Sequence, residues 1–237
     1  MYDSIKLFAF ICAVLFILAG CTARASIIVN EDKSASIGLK TESGETLVQT
    51  LTAFTGTSEN KTLFNEKDVR AGFEKASFTL KHLSFSGKTG MVLTADCKDL
   101  RKVDSGGALT LESDTSSDTL TLTFSPQTLN NLLKLMPDET AEYTDLLMAP
   151  AFTGEQLNET EYSEIIGNMY GSTLQKELIS SFFIFDVGAP AEITHASIIP
   201  PEAGSVRING KKASFNLYLN KFLSNSEKIK IRIQWKK

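Results

Sequence analysis

The chain has little of what enzymes and metal sites are commonly built from. It carries two histidines in 237 residues, His82 and His195. Neither has a second histidine or a cysteine at a spacing that would close a metal site. No Gly-x-Ser-x-Gly elbow, His-Glu-x-x-His pair, phosphate-binding glycine loop or calcium loop occurs. These absences disfavour an exported hydrolase, and the expectation is a protein that is not an enzyme and uses no cofactor and no metal. There is no excess of positive charge either. The net charge of −4 excludes a general nucleic-acid surface. No apolar run reaches the about 20 residues that a membrane-crossing helix needs. There is no internal repeat and no long Pro/Gly/Ser-rich linker. What remains is an ordinary globular composition, 42% hydrophobic, enough to bury a core in one large domain or two small ones.

The first twenty residues stand apart. A short polar start with one basic side chain, Lys6, leads into an uninterrupted apolar stretch at residues 7–19, LFAFICAVLFILA. Its length suits the apolar region of a secretory signal peptide; the competing reading is a buried core helix. Asp3 makes the leading segment less basic than is usual. Leu18, Ala19, Gly20 and Cys21 follow, and this run resembles the lipobox of bacterial lipoproteins. Small residues before the cut let the backbone enter a narrow protease cleft, and the cysteine thiolate accepts the lipid. The resemblance implies signal cleavage between Gly20 and Cys21, lipidation of Cys21 by diacylglycerol and often an amide-linked fatty acid, and attachment to the membrane through that residue. Acyl chains at about 0.8 kcal/mol per buried methylene hold such a protein firmly. Thr22 in place of an aspartate implies the outer membrane where the source has two membranes, and the cell envelope in any case.

Cysteine usage fits this. Of Cys12, Cys21 and Cys97, the first leaves with the signal peptide and the second carries lipid. The exported domain then has no internal disulfide, and its stability rests on its core. Cys97 is in phase with Met91, Leu93 and Ala95, which predicts a buried, inert thiol.

The organisation expected is a signal peptide at 1–20, a lipidated tether at 21–25 and one domain at 26–237. Four extended tether residues reach about 14 Å at most, so the domain stands close to the headgroups. Residues 26–30 and 34–40 predict a hairpin across Asn30, Glu31, Asp32 and Lys33. Leu47, Val48, Leu51 and Phe54 have helical spacing. Asn65 predicts a cap for a helix with Val69, Phe73 and Ala76 inward. Strands at 77–86 and 91–97 flank the turn at 87–90, and a phase change around His82 predicts a bulge. Alternation at Leu109 and Leu111, and at Leu120, Leu122 and Phe124, predicts strands with one wet face. Ser125-Pro126 opens a helical cluster over about 126–181. Its stripes are Leu129, Leu132, Leu133 and Met136; Tyr143, Leu146 and Leu147; Tyr162, Ile165, Ile166 and Met169; and Leu174 with Leu178. Strands return with Phe183, Phe185 and Val187. Asn209-Gly210 is a hairpin dipeptide. Phe215, Leu217 and Leu219 alternate with polar residues, as do Ile229, Ile231, Ile233 and Trp235. The fold class predicted is α+β: an antiparallel sheet built from N- and C-terminal strand blocks, with a helical subdomain inserted between them.

Charge is segregated. Asp138, Glu139, Glu142, Asp145, Glu155, Glu159, Glu161, Glu164 and Glu177 face one cation, Lys176; Arg207, Lys211, Lys212, Lys221, Lys228, Lys230, Arg232, Lys236 and Lys237 face one acid, Glu227. Two solvated faces account for this. So does a dipolar molecule, with basic strands toward phosphate headgroups and acidic helices toward a basic partner. Glu161 with Glu164, and Asp138 with Glu142, are spaced to share a helix face. Such pairs serve acid–base chemistry, but solvated acidic helices produce them as well.

The tail has a proline-terminated strand (Ala189-Pro190), a glycine turn and strands running to Trp235. In this it resembles the C-terminal part of LppM-like bacterial lipoproteins, over about a quarter of the chain. That resemblance implies a sheet gripping helices and the handling of glycolipid. Two functions follow as expectations. One is a membrane-anchored, non-catalytic binding protein for a lipid or other apolar ligand. The other is a structural or assembly lipoprotein that docks an envelope protein.

Overall fold

The computed structural model describes residues 23–42, 66–75, 78–87, 90–103, 108–125, 157–224 and 228–237. Strand β1 (Ala23–Val29) pairs with β2 (Ala35–Glu42) as the alternation predicts. Their turn closes where the Asn30 N–H donates to the Ser34 carbonyl at 2.9 Å and the Ser34 N–H donates to the Asp32 carboxylate at 2.9 Å. Lys33 takes the left-handed backbone there, with φ 69°, a conformation that costs a side-chain-bearing residue. The strand begins at Ala23, ahead of the expected Ser26. Ala23 and Ala25 are buried in phase with Ile27 and Val29. Alanine carries little strand signal of its own; β7 holds Ala23 in the sheet, and β2 and β7 together hold Arg24 and Ala25.

β3 (Phe78–Ser86) and β4 (Gly90–Cys97) form a second hairpin. The register shifts between Leu80 and His82, so Lys81 is the extra residue of the expected bulge. The shift returns Leu83 and Phe85 to the face of Phe78 and Leu80, where they pack on the core. Helix α1 (Glu66–Lys75) turns Val69 and Phe73 inward, as predicted, and Phe73 meets Phe78 edge-on at 6.2 Å. β5 (Leu109–Ser113) pairs with β6 (Ser117–Phe124). Of the predicted helical region, α2 (Glu159–Tyr170) and α3 (Ser172–Ser180) are described. The stripes at 129–147 and the helix at 47–54 lie outside the described residues. In α2 the inward row is Tyr162 and Ile166, continuing to half-buried Tyr170 at the four-residue interval. Met169, expected on that stripe, is exposed. Leu174 and Leu178 of α3 are buried as expected.

The remaining elements are β7 (Phe182–Gly188), β8 (Ile193–Ile199), β9 (Gly204–Asn209), β10 (Lys212–Tyr218), a short helix α4 (Leu219–Ser224) and β11 (Ile229–Lys236). Asn209-Gly210 makes the β9–β10 turn, with Gly210 at φ 58°. Leu219 opens α4 and does not extend the strand.

The architecture is α+β, with helices between the N- and C-terminal strand blocks. The strands form two sheets. Seven run in the order β3-β4-β2-β1-β7-β10-β9 and four in the order β5-β6-β11-β8. Among the described residues every pairing is antiparallel except β1 with β7, which are parallel. Parallel neighbours need a long crossover, and here residues 30–181 supply it. The two blocks therefore meet in one sheet at β1 and β7. One buried cluster joins the inward faces of both sheets to α1, α2 and α3, with Phe215, Ile231, Ile233 and Trp235 at its centre.

Candidate functional site

The parallel pair places Ala23, the start of β1, opposite Phe183. β10 runs back along β7, so Tyr218 lies opposite Phe182 at the same end of the sheet. Strand alternation sends Phe182 and Tyr218 to the outer face, while Phe183, Leu217 and Ala23 point into the core. The two outward rings meet at 5.5 Å, and Lys221 of α4 sets its Nζ 5.5 Å above the Tyr218 ring. Phe182 remains 40% exposed, and Ile179, in the last turn of α3, 47%. The Leu219 N–H donates to the Ser181 carbonyl at 3.2 Å, which ties the end of β10 to the start of β7. Two cations at this end have acidic partners. Lys221 Nζ lies 3.2 Å from Glu159 Oε1, and the Asn220 amide donates to Glu159 Oε2 at 3.0 Å. Arg24 Nε lies 3.1 Å from Asp186 Oδ2. The result is an outward aromatic pair, its Phe182 three residues beyond exposed Ile179, at the end of the sheet where β1 begins.

A different cluster occupies the opposite end of β1. Asp118 is 1% exposed. The ammonium of Lys33, on the β1–β2 turn, donates to its carboxylate. The Ser113 hydroxyl donates to the other oxygen at 2.6 Å, and Lys237 Nζ lies 3.8 Å away. Burial pushes this carboxyl up, but the hydrogen bonds from Lys33 and Ser113 and the charges of Lys33 and Lys237 more than reverse it, leaving it below the ordinary carboxylate value. The cluster fastens the four-stranded sheet to the β1–β2 turn. Its signal was present in the sequence: Asp118 is in phase with Leu120, Leu122 and Phe124, so an acid was due on an apolar face.

Gly20 and Cys21, the expected cleavage and lipidation positions, lie outside the described residues. Cys97 is buried, and burial pushes its thiol up to about 11. His82 is exposed on the bulge beside the Ser84 hydroxyl at 3.1 Å, and His195 is exposed on β8. Glu161 closes a capping box: its carboxylate accepts from the Asn158 N–H at 2.9 Å, and the Asn158 side chain accepts from the Thr160 and Glu161 N–H groups. That task separates it from Glu164, which is exposed on the same helix. Asp138 and Glu142 lie outside the described residues. Among the described residues no group of three His, Cys, Asp or Glu converges on a metal position. No helix among them is long and apolar enough to cross a membrane.

The basic strand β11 alternates as expected, with Lys230 and Arg232 opposite Thr123 and Thr121 on its outer face. Its carboxyl end, at Lys236 and Lys237, approaches the Asp118 cluster, away from Ala23. Among the described residues two buried polar atoms lack a partner, Glu177 Oε2 and Trp235 Nε1.

No family model matches the sequence, and no curated protein matches it. Among solved structures the chain is similar to the folded domain of LppM from Mycobacterium tuberculosis, determined by NMR. The two share 12% identity at a TM-score of 0.41, over 92% of this chain and 90% of that one. At that degree of likeness the function of this chain has to be argued from its own residues.

Proposed function

We propose that this chain is an acylated lipoprotein of the cell envelope, and that its domain is a non-catalytic binding module for a lipid or other apolar ligand at the membrane surface. One observation carries the reading: β1 begins at Ala23, two residues after Cys21. With Ala23 already buried in the sheet, Thr22 alone separates the acylated residue from the fold. Two extended residues span at most about 7 Å, half the reach that a tether of residues 22–25 would have. A domain held that close has no freedom to work far from the bilayer.

The chemistry of the described residues supports the non-catalytic part. The Cys97 thiol is buried and raised, the opposite of an activated nucleophile. Glu161 is occupied in a helix cap and Asp118 in an ion cluster. The assembly reading asks for a free acidic face. Within the described part of the acidic segment, Glu159 and Glu161 are already engaged.

The anchor is tested by metabolic fatty-acid labelling of the parent chain and of Cys21→Ala. Label is expected on the parent and absent from the variant; label that persists in the variant refutes the assignment. For the ligand, native mass spectrometry of the purified chain, followed by lipid extraction, is expected to recover a bound lipid. A chain that carries a stoichiometric protein partner and no lipid turns the assignment toward assembly.

A further inference from the structure

We infer that the rim formed by Ile179, Phe182 and Tyr218 is the face of this domain that sits in the bilayer interface, its occupant the headgroup–acyl boundary of the membrane that holds the anchor. The inference rests on the acylated reading above and adds an orientation to it.

Three observations point to this face. The first is where the chain enters. Ala23 sits opposite Phe183, so the acyl chains on Cys21 emerge within about 7 Å of the start of β1, at the end of the sheet that carries the rim. The second is what is exposed there. A 40% exposed phenylalanine, a 47% exposed isoleucine and a tyrosine ring lie on neighbouring elements. Rings with one apolar and one polar end settle at headgroup depth, and a lysine beside them keeps its ammonium toward water. Lys221 above the Tyr218 ring matches that arrangement. The third is charge. Arg24 and Lys221 at the rim already face Asp186 and Glu159. Those two cations are answered within the fold, so the apolar and aromatic side chains lead the contact. This orientation differs from one led by the carboxyl end of β11, whose Lys237 lies beside Asp118 at the far end of β1.

The edge strand β9 offers an internal control. Ile208 is 43% exposed, and pairing through Ala213 to Val187 places it five strand residues beyond Phe182, about 16 Å further along the sheet at 3.3 Å per residue. The experiment uses the full processed chain, its acyl mass verified by intact mass spectrometry, in phosphatidylcholine vesicles with and without dibrominated phosphatidylcholine. An indole is introduced by Phe182→Trp or, separately, by Ile208→Trp. The native Trp235 is fully buried, so the parent chain supplies the unquenched baseline. The indole at position 182 is expected to shift its emission to the blue and lose intensity to bromine, while the indole at 208 does neither. Where Phe182→Trp does not fold, Ile179→Trp takes its place with the same expectation. Acylated chain with equal quenching at both positions, quenching at 208 only, or none, overturns the orientation and leaves the lipoprotein reading standing. Chain without acyl mass overturns both.

Discussion

Removing Lys33 from the Asp118 cluster provides the sharpest test of how the two sheets are held together. Asp118 is 1% exposed and Lys33 16%, so the two partners are not equivalent when one is lost. Lys33→Met keeps the side chain's length and the left-handed backbone of the turn, but strands a carboxylate that cannot reach water. Ser113 remains as a donor and Lys237 stands 3.8 Å off. Breaking a buried pair in this way costs about 3–5 kcal/mol. For a chain of this size that lowers the thermal midpoint by about 6–20 °C. Asp118→Asn is milder, about 1–3 kcal/mol: the amide still accepts from Ser113, and the freed ammonium can turn to solvent. Combining the two should be less damaging than Lys33→Met alone, because no buried charge remains. Urea denaturation followed by Trp235 fluorescence measures all three.

The pH dependence adds a second constraint. The folded carboxyl of Asp118 lies below its ordinary value. Its contribution is therefore fully present above the unfolded value of about 3.9 and is lost as pH falls through the depressed one. The gap between the parent and Asp118→Asn should begin to narrow near about pH 4 and close only below the depressed folded value. Variants within about 0.5 kcal/mol of the parent at neutral pH, or an Asp118→Asn chain weaker than Lys33→Met, would refute the argument.

Two further outcomes follow from packing and burial. A Cβ added at Gly204 would lie 2.2 Å from the Asn216 carbonyl oxygen, with backbone atoms at 3.0 and 3.1 Å behind it. Gly204→Ala must then push β9 off β10, costing about 1–3 kcal/mol, and an unchanged urea midpoint would contradict this. Cys97, buried with its thiol raised to about 11, should resist alkylation at neutral pH until the chain is denatured. Mass spectrometry of the peptide containing Cys97 reports this, and prompt modification of the native chain would show that the thiol is open.

Much of the fold was legible in local pattern. The bulge could be placed because Phe78 and Leu80 keep one phase and Leu83 and Phe85 the other, and only an extra residue puts all four on one side. β11 declared itself by strict alternation from Ile229 to Trp235. The buried rows of α2 and α3 followed from helical spacing. The strand start at Ala23 was not visible, since alanine and arginine signal neither strand nor buried position; only pairing with β7, joined from Arg24 onward by β2, makes them one. Met169 was misplaced because a periodic stripe does not say which of its members the packing will cover.

The candidate site divides the same way. Cys21 is a covalent-chemistry signal carried by four adjacent residues, so it needs no fold to be found. The rim needs one, since Ala23, Phe182 and Tyr218 come from separate parts of the chain and belong together only through the parallel pairing of β1 with β7 and the return of β10.

By itself the sequence determined most of the described strands and the buried rows of α2 and α3, because each is set by residues within a turn or two of one another. Tertiary structure alone decided that the strand blocks fuse through a parallel pair, that Asp118 finds Lys33, and that Ala23, Phe182 and Tyr218 share one end of a sheet. Those depend on contacts between residues far apart in the chain, for which no local periodicity carries a signal.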